Sequence, residues 1–227
     1  MSNNTKFLRA SQLIKKSCED CGGDGCRVCN NKISKIQKYH DANIPSSFWI
    51  KSFKEYSGDE EYAEFIRDKI HNIDRVFDGG ESFILAGNLG VGKTYGICSI
   101  LKMAVSKDYD VKYFSMAEII NRILSKSSND ELQNLCDIDF LAIDEFDNRW
   151  IFPSEKSEQL FGSSMEYLLR TRFQAMLPTL LATNNSDLDQ ILSGSYGRSF
   201  SSLRSQYLKT MFVSGRDFRK KMSKDKQ

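Results

Sequence analysis

The chain has 227 residues and a net charge of +2, with 40% hydrophobic and 27% charged residues. This length and composition suit one sizeable α/β domain with a small additional module. No apolar run approaches the roughly 20 residues of a membrane span, and the N-terminus lacks the apolar core of a secretory signal, so we expect a cytoplasmic protein. Residues 1–40 hold eight basic against three acidic side chains, and residues 215–227 hold six against two. Such basic ends suit nucleic acid or an acidic partner, or are simply solvated.

The first predicted unit is a metal-binding module over residues 1–38. Four of the six cysteines follow the spacing C-x2-C-x4-C-x2-C, at Cys18, Cys21, Cys26 and Cys29. Two such pairs supply four thiolates within tetrahedral reach, as structural Zn²⁺ prefers, and a reducing cytoplasm disfavours disulfides. An iron–sulfur cluster also takes four cysteines and stays open as an alternative. Cys98 and Cys136 stand apart in apolar surroundings and are expected to be buried thiols.

Residues 39–58 are predicted to be a connector, and the chain then alternates between helix and strand. Apolar spacing over residues 59–77 predicts a helix, which ends at a glycine pair. Strands are expected near 82–86, 110–114, 138–143, 179–183 and 208–213. Helices are expected near 93–106, 116–126, 156–175, 186–192 and 197–206. This alternation predicts an α/β fold of the P-loop NTPase type, a parallel sheet with helices on both faces.

The most specific motif lies between the first strand and the helix after it. It reads G-x-x-x-x-G-K-[ST], and its residues are Gly87, Asn88, Leu89, Gly90, Val91, Gly92, Lys93 and Thr94. A glycine-rich turn at a helix N-terminus cradles phosphates with backbone N–H groups. Lys93 is expected to reach the β- and γ-phosphates, and the Thr94 hydroxyl to hold Mg²⁺. The motif therefore predicts binding of a nucleoside triphosphate, and the nucleotides we expect are ATP and ADP.

Two later strands end in polar residues that complete such a site. Asp144 and Glu145 follow an apolar strand, and Asn184 follows the next one. We expect Asp144 to hold Mg²⁺, Glu145 to orient or activate the attacking water, and Asn184 to sense the γ-phosphate. The plainer alternatives are a strand that ends in a charged loop and an asparagine that caps the helix near residue 186. The Asp-Glu pair favours ATP hydrolysis over phosphoryl transfer to a small substrate.

The order of these motifs resembles the DnaC/DnaI-type helicase loaders and the related IstB transposition ATPases, which are AAA+ proteins. The order is Ile44-Pro45, the phosphate loop, Ile143-Asp144-Glu145, P-T-x-x-x-T-N over 178–184 and G-R-D-F-R over 215–219. The resemblance implies an AAA+ ATPase domain over residues 59–220, a basic tail over 221–227 and no separate helical lid.

The resemblance also implies roles for arginines near the end of the chain. An arginine finger should enter the ATP site of a neighbouring subunit, so that the chains self-associate through their ATP sites. Arg204 is the better match to the family pattern for this finger, and Arg198 is second. Arg219 resembles the second sensor arginine, which contacts the nucleotide. A surface charge, or for Arg219 a generic basic tail, is the plainer interpretation of these residues.

A zinc module ahead of such an ATPase is similar to the DnaI arrangement. It implies a weak, partner- or DNA-stimulated ATPase that loads a DnaB-type hexameric replicative helicase onto single-stranded DNA at replication initiation. The helix after Tyr113-Phe114-Ser115 and the basic ends are the candidate DNA contacts. The host would be a bacterium or a phage within one. The alternatives are an IstB-like transposition helper and a zinc-dependent adaptor whose nucleotide site is structural.

Overall fold

Five parallel strands form one sheet in the computed structural model, which describes residues 3–16, 18–124, 128–147, 154–188 and 194–218. The strands are β1 (Ser82–Gly87), β2 (Val111–Ser115), β3 (Phe140–Asp144), β4 (Thr179–Thr183) and β5 (Leu208–Val213). The α-helices are α1 (Asn3–Lys16), α2 (Arg27–Asp41), α3 (Glu60–His71), α4 (Ile73–Asp78), α5 (Lys93–Ser106), α6 (Met116–Leu124), α7 (Ser128–Asp137), α8 (Glu155–Gln174) and α9 (Gly194–Tyr207). Short 3₁₀ helices cover Ser46–Phe48 and Phe53–Glu55.

The strand order is β2-β3-β4-β1-β5, so β4 lies between the strands that carry the two nucleotide motifs. Leu180 of β4 pairs with Phe83 of β1 on one side and with Ala142 of β3 on the other. The predicted parallel α/β fold is confirmed, with strand boundaries displaced by no more than two residues. Because parallel strands are covered on both faces, they appear in the sequence as short continuous apolar runs.

Two apolar cores cover the two faces of the sheet. Along β1, Phe83 and Leu85 face the core that contains α3, α4 and α5, whereas Ile84 and Ala86 face the core that contains α6 to α9. This alternation is the two-residue period of a strand. Among the described residues, no helix is both long enough and apolar enough to cross a membrane.

The N-terminal segment folds as a helical hairpin, which we define as α1, the cysteine loop 18–26 and α2. Phe7, Ala10 and Ile14 of α1 pack against the core on the α5 side, and Ile36 of α2 is buried in it. The hairpin is therefore packed onto the domain that contains the sheet. Helix α2 runs to Asp41 and crosses the predicted boundary after residue 38. The other proposed domain limits stay predictions.

Several helices differ from the sequence expectation. The predicted helix 59–77 is two helices, α3 and α4, because the backbone leaves helical geometry at Asn72, whose φ is −109° and ψ is 38°. Helices α1, α2 and α7 were not predicted. The helix expected near 186–192 lies mostly outside the described residues. The described chain ends at residue 218, so the predicted lack of a separate helical lid is not tested.

A fully buried arginine joins three elements at the end of the sheet opposite the phosphate loop. Arg172 of α8 has no exposed surface, and its guanidinium donates to the carbonyls of Leu135, Ile138 and Pro178 at 2.8, 2.6 and 2.9 Å. It also donates to Thr179 Oγ1 at 3.0 Å. Burial lowers the pKa of Arg172 to about 10. The side chain thus satisfies backbone oxygens of α7 and of the residues that lead into β3 and β4.

We predict that Arg172→Met lowers the free energy of unfolding by about 3–5 kcal/mol, because it leaves several buried carbonyls without donors. The matched control is Arg170→Met on the same helix, since Arg170 is exposed and pairs with Glu166 at 2.9 Å. The control should change the free energy by less than about 0.5 kcal/mol. Urea unfolding measures both, and a loss below 1 kcal/mol for Arg172→Met would show that the buried network is not needed.

Candidate functional site: a phosphate loop and a four-cysteine cluster

The phosphate loop connects β1 to α5, and two tyrosine hydroxyls donate hydrogen bonds to its carbonyl groups. Tyr56 Oη donates to the carbonyl of Val91, and Tyr62 Oη donates to the carbonyl of Gly92, both at 2.9 Å. Each peptide plane directs its N–H opposite to its carbonyl, so these bonds turn the following N–H groups towards the inside of the loop. Gly92 has φ 107°, and a Cβ there would lie 2.7 Å from the Tyr56 ring. Glycine is required at this position on both grounds.

Lys93 begins α5 and is folded back across the loop. Its side chain is buried, and Nζ donates to the carbonyls of Gly87 and Asn88, both at 2.7 Å. The ammonium group therefore lies inside the loop, where a phosphate oxygen would be a stronger acceptor than a neutral carbonyl. This is the position expected of a lysine that binds a triphosphate.

The carboxylate of Asp144, at the end of β3, accepts hydrogen bonds from residues of α5 and β2. Its Oδ2 accepts hydrogen bonds from Thr94 Oγ1 and from Tyr113 Oη, both at 2.7 Å, and its Oδ1 accepts from the backbone N–H of Glu145 at 2.8 Å. The carboxylate is buried, and its contact with Thr94 places it beneath the loop. A hydroxyl and a carboxylate oxygen in contact are the donor set that Mg²⁺ prefers, so these residues fit the implied cation.

Tyr113 was not assigned to this site by the sequence analysis. It lies in β2, opposite Ala142 of β3, and its hydroxyl reaches Asp144. Burial, and then the charge of Asp144, raises the pKa of Tyr113 far above that of a free tyrosine. It therefore stays a proton donor that fixes the carboxylate orientation. Its sequence signal is weak, because an aromatic residue in a strand is usually part of the core.

Glu145 turns the chain out of the sheet. Its φ is 54°, which is unusual for a residue other than glycine, and its side chain is exposed beside the buried Asp144. The next residue, Phe146, returns to the sheet by donating to the carbonyl of Ala182 at 2.8 Å. The backbone thus places one carboxylate inside the site and the next at its edge.

Asn184 directly follows β4, between the two nucleotide motifs, and is half-buried. Beside it, Asp187 N–H donates to Asn185 Oδ1 at 3.0 Å, and the helix that Asn184 was considered to cap lies mostly outside the described residues. The other polar candidates lie on or beyond α9. Arg198 is exposed, Arg204 is half-buried with its Nε inaccessible, and Arg219 lies outside the described residues.

The four cysteines of the hairpin converge on one point. Their sulfur atoms all lie within 4.8 Å of one another, with pairs at 3.7 Å (Cys18–Cys26), 3.4 Å (Cys21–Cys29) and 3.7 Å (Cys26–Cys29). A tetrahedral ion with Zn–S bonds of about 2.3 Å separates its sulfur ligands by about 3.8 Å. A disulfide would bring two sulfurs to about 2 Å. The geometry fits one tetrahedral ion, and an iron–sulfur cluster would spread the sulfurs further.

Backbone N–H groups of the cysteine loop stabilise the negatively charged thiolate form of Cys21. The N–H of Gly25 donates to Cys21 Sγ at 3.3 Å. Backbone hydrogen bonds, first from Gly23 and then from Gly25, lower the pKa of Cys21 to about 6. Contact with Cys18 raises the pKa of Cys29 to about 12. Sulfurs this close cannot all be thiolates unless a cation lies between them, which supports a metal site.

No protein-family model matches the sequence, and no curated protein matches it significantly. Solved structures do match. A crystal structure of DnaI has a TM-score of 0.59 at 18% identity and covers 76% of this chain and 93% of its own. A crystal structure of the DnaC helicase loader has a TM-score of 0.55 at 18% identity, covering 75% and 100%. The replication initiator DnaA bound to AMPPCP and single-stranded DNA has a TM-score of 0.56 at 15% identity, covering 80% and 55%.

Likeness at this level of identity is evidence about the fold. The DnaI and DnaC chains are covered almost entirely, whereas this chain spans about half of the DnaA chain. The chain therefore has a fold similar to that of the DnaI and DnaC helicase loader structures, with a four-cysteine hairpin at its N-terminus.

Proposed function

We propose that the protein is an ATP-dependent loader of a DnaB-type hexameric replicative helicase onto single-stranded DNA. The observation that carries the proposal is the contact between Thr94 and Asp144 beneath the phosphate loop, at 2.7 Å, in a fold similar to DnaI and to the DnaC helicase loader. An ordinary strand end would not require a buried carboxylate at this point, because burying a charge costs free energy unless it is paired.

In this proposal each residue has a separate task. The N–H groups of the loop and Lys93 bind the phosphates, and Glu145 orients the attacking water, with Asn184 beside the γ-phosphate. Thr94 and Asp144 would hold Mg²⁺, which neutralises charge on the phosphates. Tyr113 keeps the Asp144 carboxylate in place through its 2.7 Å hydrogen bond. Hydrolysis then removes the γ-phosphate contacts, and the protein changes its affinity for its partner.

Subunits would share this site through an arginine finger. Residues that act across a subunit boundary must be accessible, and Arg198 is exposed whereas Arg204 is half-buried with its Nε inaccessible. The difference favours Arg198, the second choice from sequence. Arg219 keeps its proposed role as a second sensor.

The hairpin is the proposed contact with the helicase, and zinc would stabilise its tip. The exposed side chains of the hairpin include basic residues and the apolar Leu8, Leu13 and Val28, which are 57%, 58% and 44% exposed. Single-stranded DNA is proposed as the second partner, with α6 and the basic ends as contacts. Support comes from the match to DnaA bound to single-stranded DNA.

Co-purification with a DnaB-type helicase in ATP or ADP tests the proposal. We expect a complex with wild type in ATP and a persistent complex in Glu145→Gln. In Lys93→Ala the amount of complex should fall at least about tenfold, because its phosphate binding fails.

Glu145→Gln should also lower the ATP turnover rate about 100-fold or more, because the water is no longer activated. The matched control Glu64→Gln changes an exposed residue of α3 and should resemble wild type. No ATP-sensitive complex with any hexameric helicase would refute the loader function.

We predict one zinc ion per chain, bound by the four cysteines. The double variant Cys26→Ser/Cys29→Ser should lower the zinc-to-protein ratio to near zero and reduce the helical signal of the hairpin, because metal binding and folding are coupled. The control Cys136→Ala removes a buried thiol outside the cluster. Elemental analysis of the purified protein measures the ratio. Iron in place of zinc, or zinc retained in the double variant, would refute this assignment.

A further inference from the structure

The segment that follows β5 lies against the phosphate loop. Ser214 donates from its N–H and its Oγ to Asp59 Oδ2, at 3.0 and 2.7 Å, which anchors the start of the segment. Four residues later, the N–H of Phe218 donates to the carbonyl of Gly90 at 3.1 Å. The segment 214–218 therefore has one fixed point on the residues before α3 and another on the loop itself.

Asp217 brings a carboxylate onto the loop between these two points. A Cβ added at Gly90 would lie 1.8 Å from Asp217 Oδ1, so the carboxylate contacts the loop backbone there. Gly90 has φ 78°, a conformation that favours glycine on its own account. The carboxylate thus occupies the space that any side chain at residue 90 would fill, beside the N–H groups expected to receive phosphates.

An aromatic contact extends the same interface. The Phe218 ring lies 5.6 Å from the Tyr56 ring, and Tyr56 donates to the carbonyl of Val91 at 2.9 Å. The Arg216 guanidinium lies over the Phe218 ring at 5.3 Å. The segment is therefore packed onto the same tyrosine that braces the loop, and its position is coupled to the loop conformation.

A bound triphosphate would bring several negative charges to this loop. Asp217 would then face like charges at short range, which is unfavourable in a site partly shielded from water. The phosphates would also draw Lys93 Nζ away from the carbonyls of Gly87 and Asn88, which it contacts at 2.7 Å. The described arrangement thus places the Asp217 carboxylate beside the part of the loop that phosphates would occupy.

We propose that residues 214–218 are a latch that competes with nucleotide for the phosphate loop, and that nucleotide binding releases it. The proposal rests on the nucleotide binding proposed above and adds a regulatory step to it. Nucleotide occupancy would thereby be reported at the carboxyl-terminal end of the domain, through loss of the Phe218–Gly90 hydrogen bond.

Nucleotide affinity and amide exchange together test the latch. Asp217→Asn should lower the Kd for ATP about fivefold, since one repulsive charge is removed, and Ser214→Ala should lower it by less, since only the anchor is weakened. The control Asp78→Asn removes the same charge from an exposed position at the end of α4, at the opposite end of β1. It should leave the Kd unchanged.

Hydrogen exchange of the full chain follows the Phe218 amide directly. We expect faster exchange of this amide with ATP and Mg²⁺ than without nucleotide. Slower or unchanged exchange, or an unaltered Kd in Asp217→Asn while wild type binds ATP, would overturn the latch alone. A failure of wild type and all three variants to bind ATP would overturn the proposed function and the latch with it.

Discussion

The hydrogen bond from Thr94 to Asp144 is the constraint on which the rest of the site depends. It joins the start of α5 to the end of β3, across β4, which lies between the two motif-bearing strands. Because Asp144 is buried, its charge needs donors, and Tyr113 and the Glu145 N–H supply the others. The same bonds fix the loop above the carboxylate and leave Glu145 at the edge. A single buried charge thus sets the positions of the residues proposed to bind the cation and the water.

Helix α5 connects this site to the N-terminal hairpin. Tyr95, next to Thr94, has its ring stacked at 5.8 Å on Phe48 and donates its hydroxyl to the carbonyl of Ser52. Further along α5, Lys102 donates to the carbonyl of Phe48 at 2.8 Å. Phe48 and Ser52, which lie between the hairpin and α3, therefore contact the helix that begins at the phosphate loop. Ile36 of α2 is buried in the same core as α5, so the hairpin, which is the proposed contact with the partner, packs on the helix that begins at the loop.

The features that could be predicted from the sequence are those that depend on a local pattern of residues. The five strands were found because buried parallel strands are short apolar runs. The loop and the cysteine cluster were found because phosphate and metal binding require particular residues at a particular spacing. Contacts between distant residues could not be found in this way. The bond from Tyr113 to Asp144 spans 31 positions, and that from Ser214 to Asp59 spans 155. The break between α3 and α4 was missed because apolar spacing continues through Asn72.

The dependence of ATP binding on Mg²⁺ tests the central claim most directly. The Kd for ATP should be measured by calorimetry, with Mg²⁺ and with a chelator, for wild type and Asp144→Asn. The account predicts that Mg²⁺ tightens binding by wild type about tenfold or more and has little effect on the variant, because the amide is a poor ligand for the ion. An equal effect of Mg²⁺ on both proteins would contradict the account, since Thr94 and Asp144 would then not form the cation site.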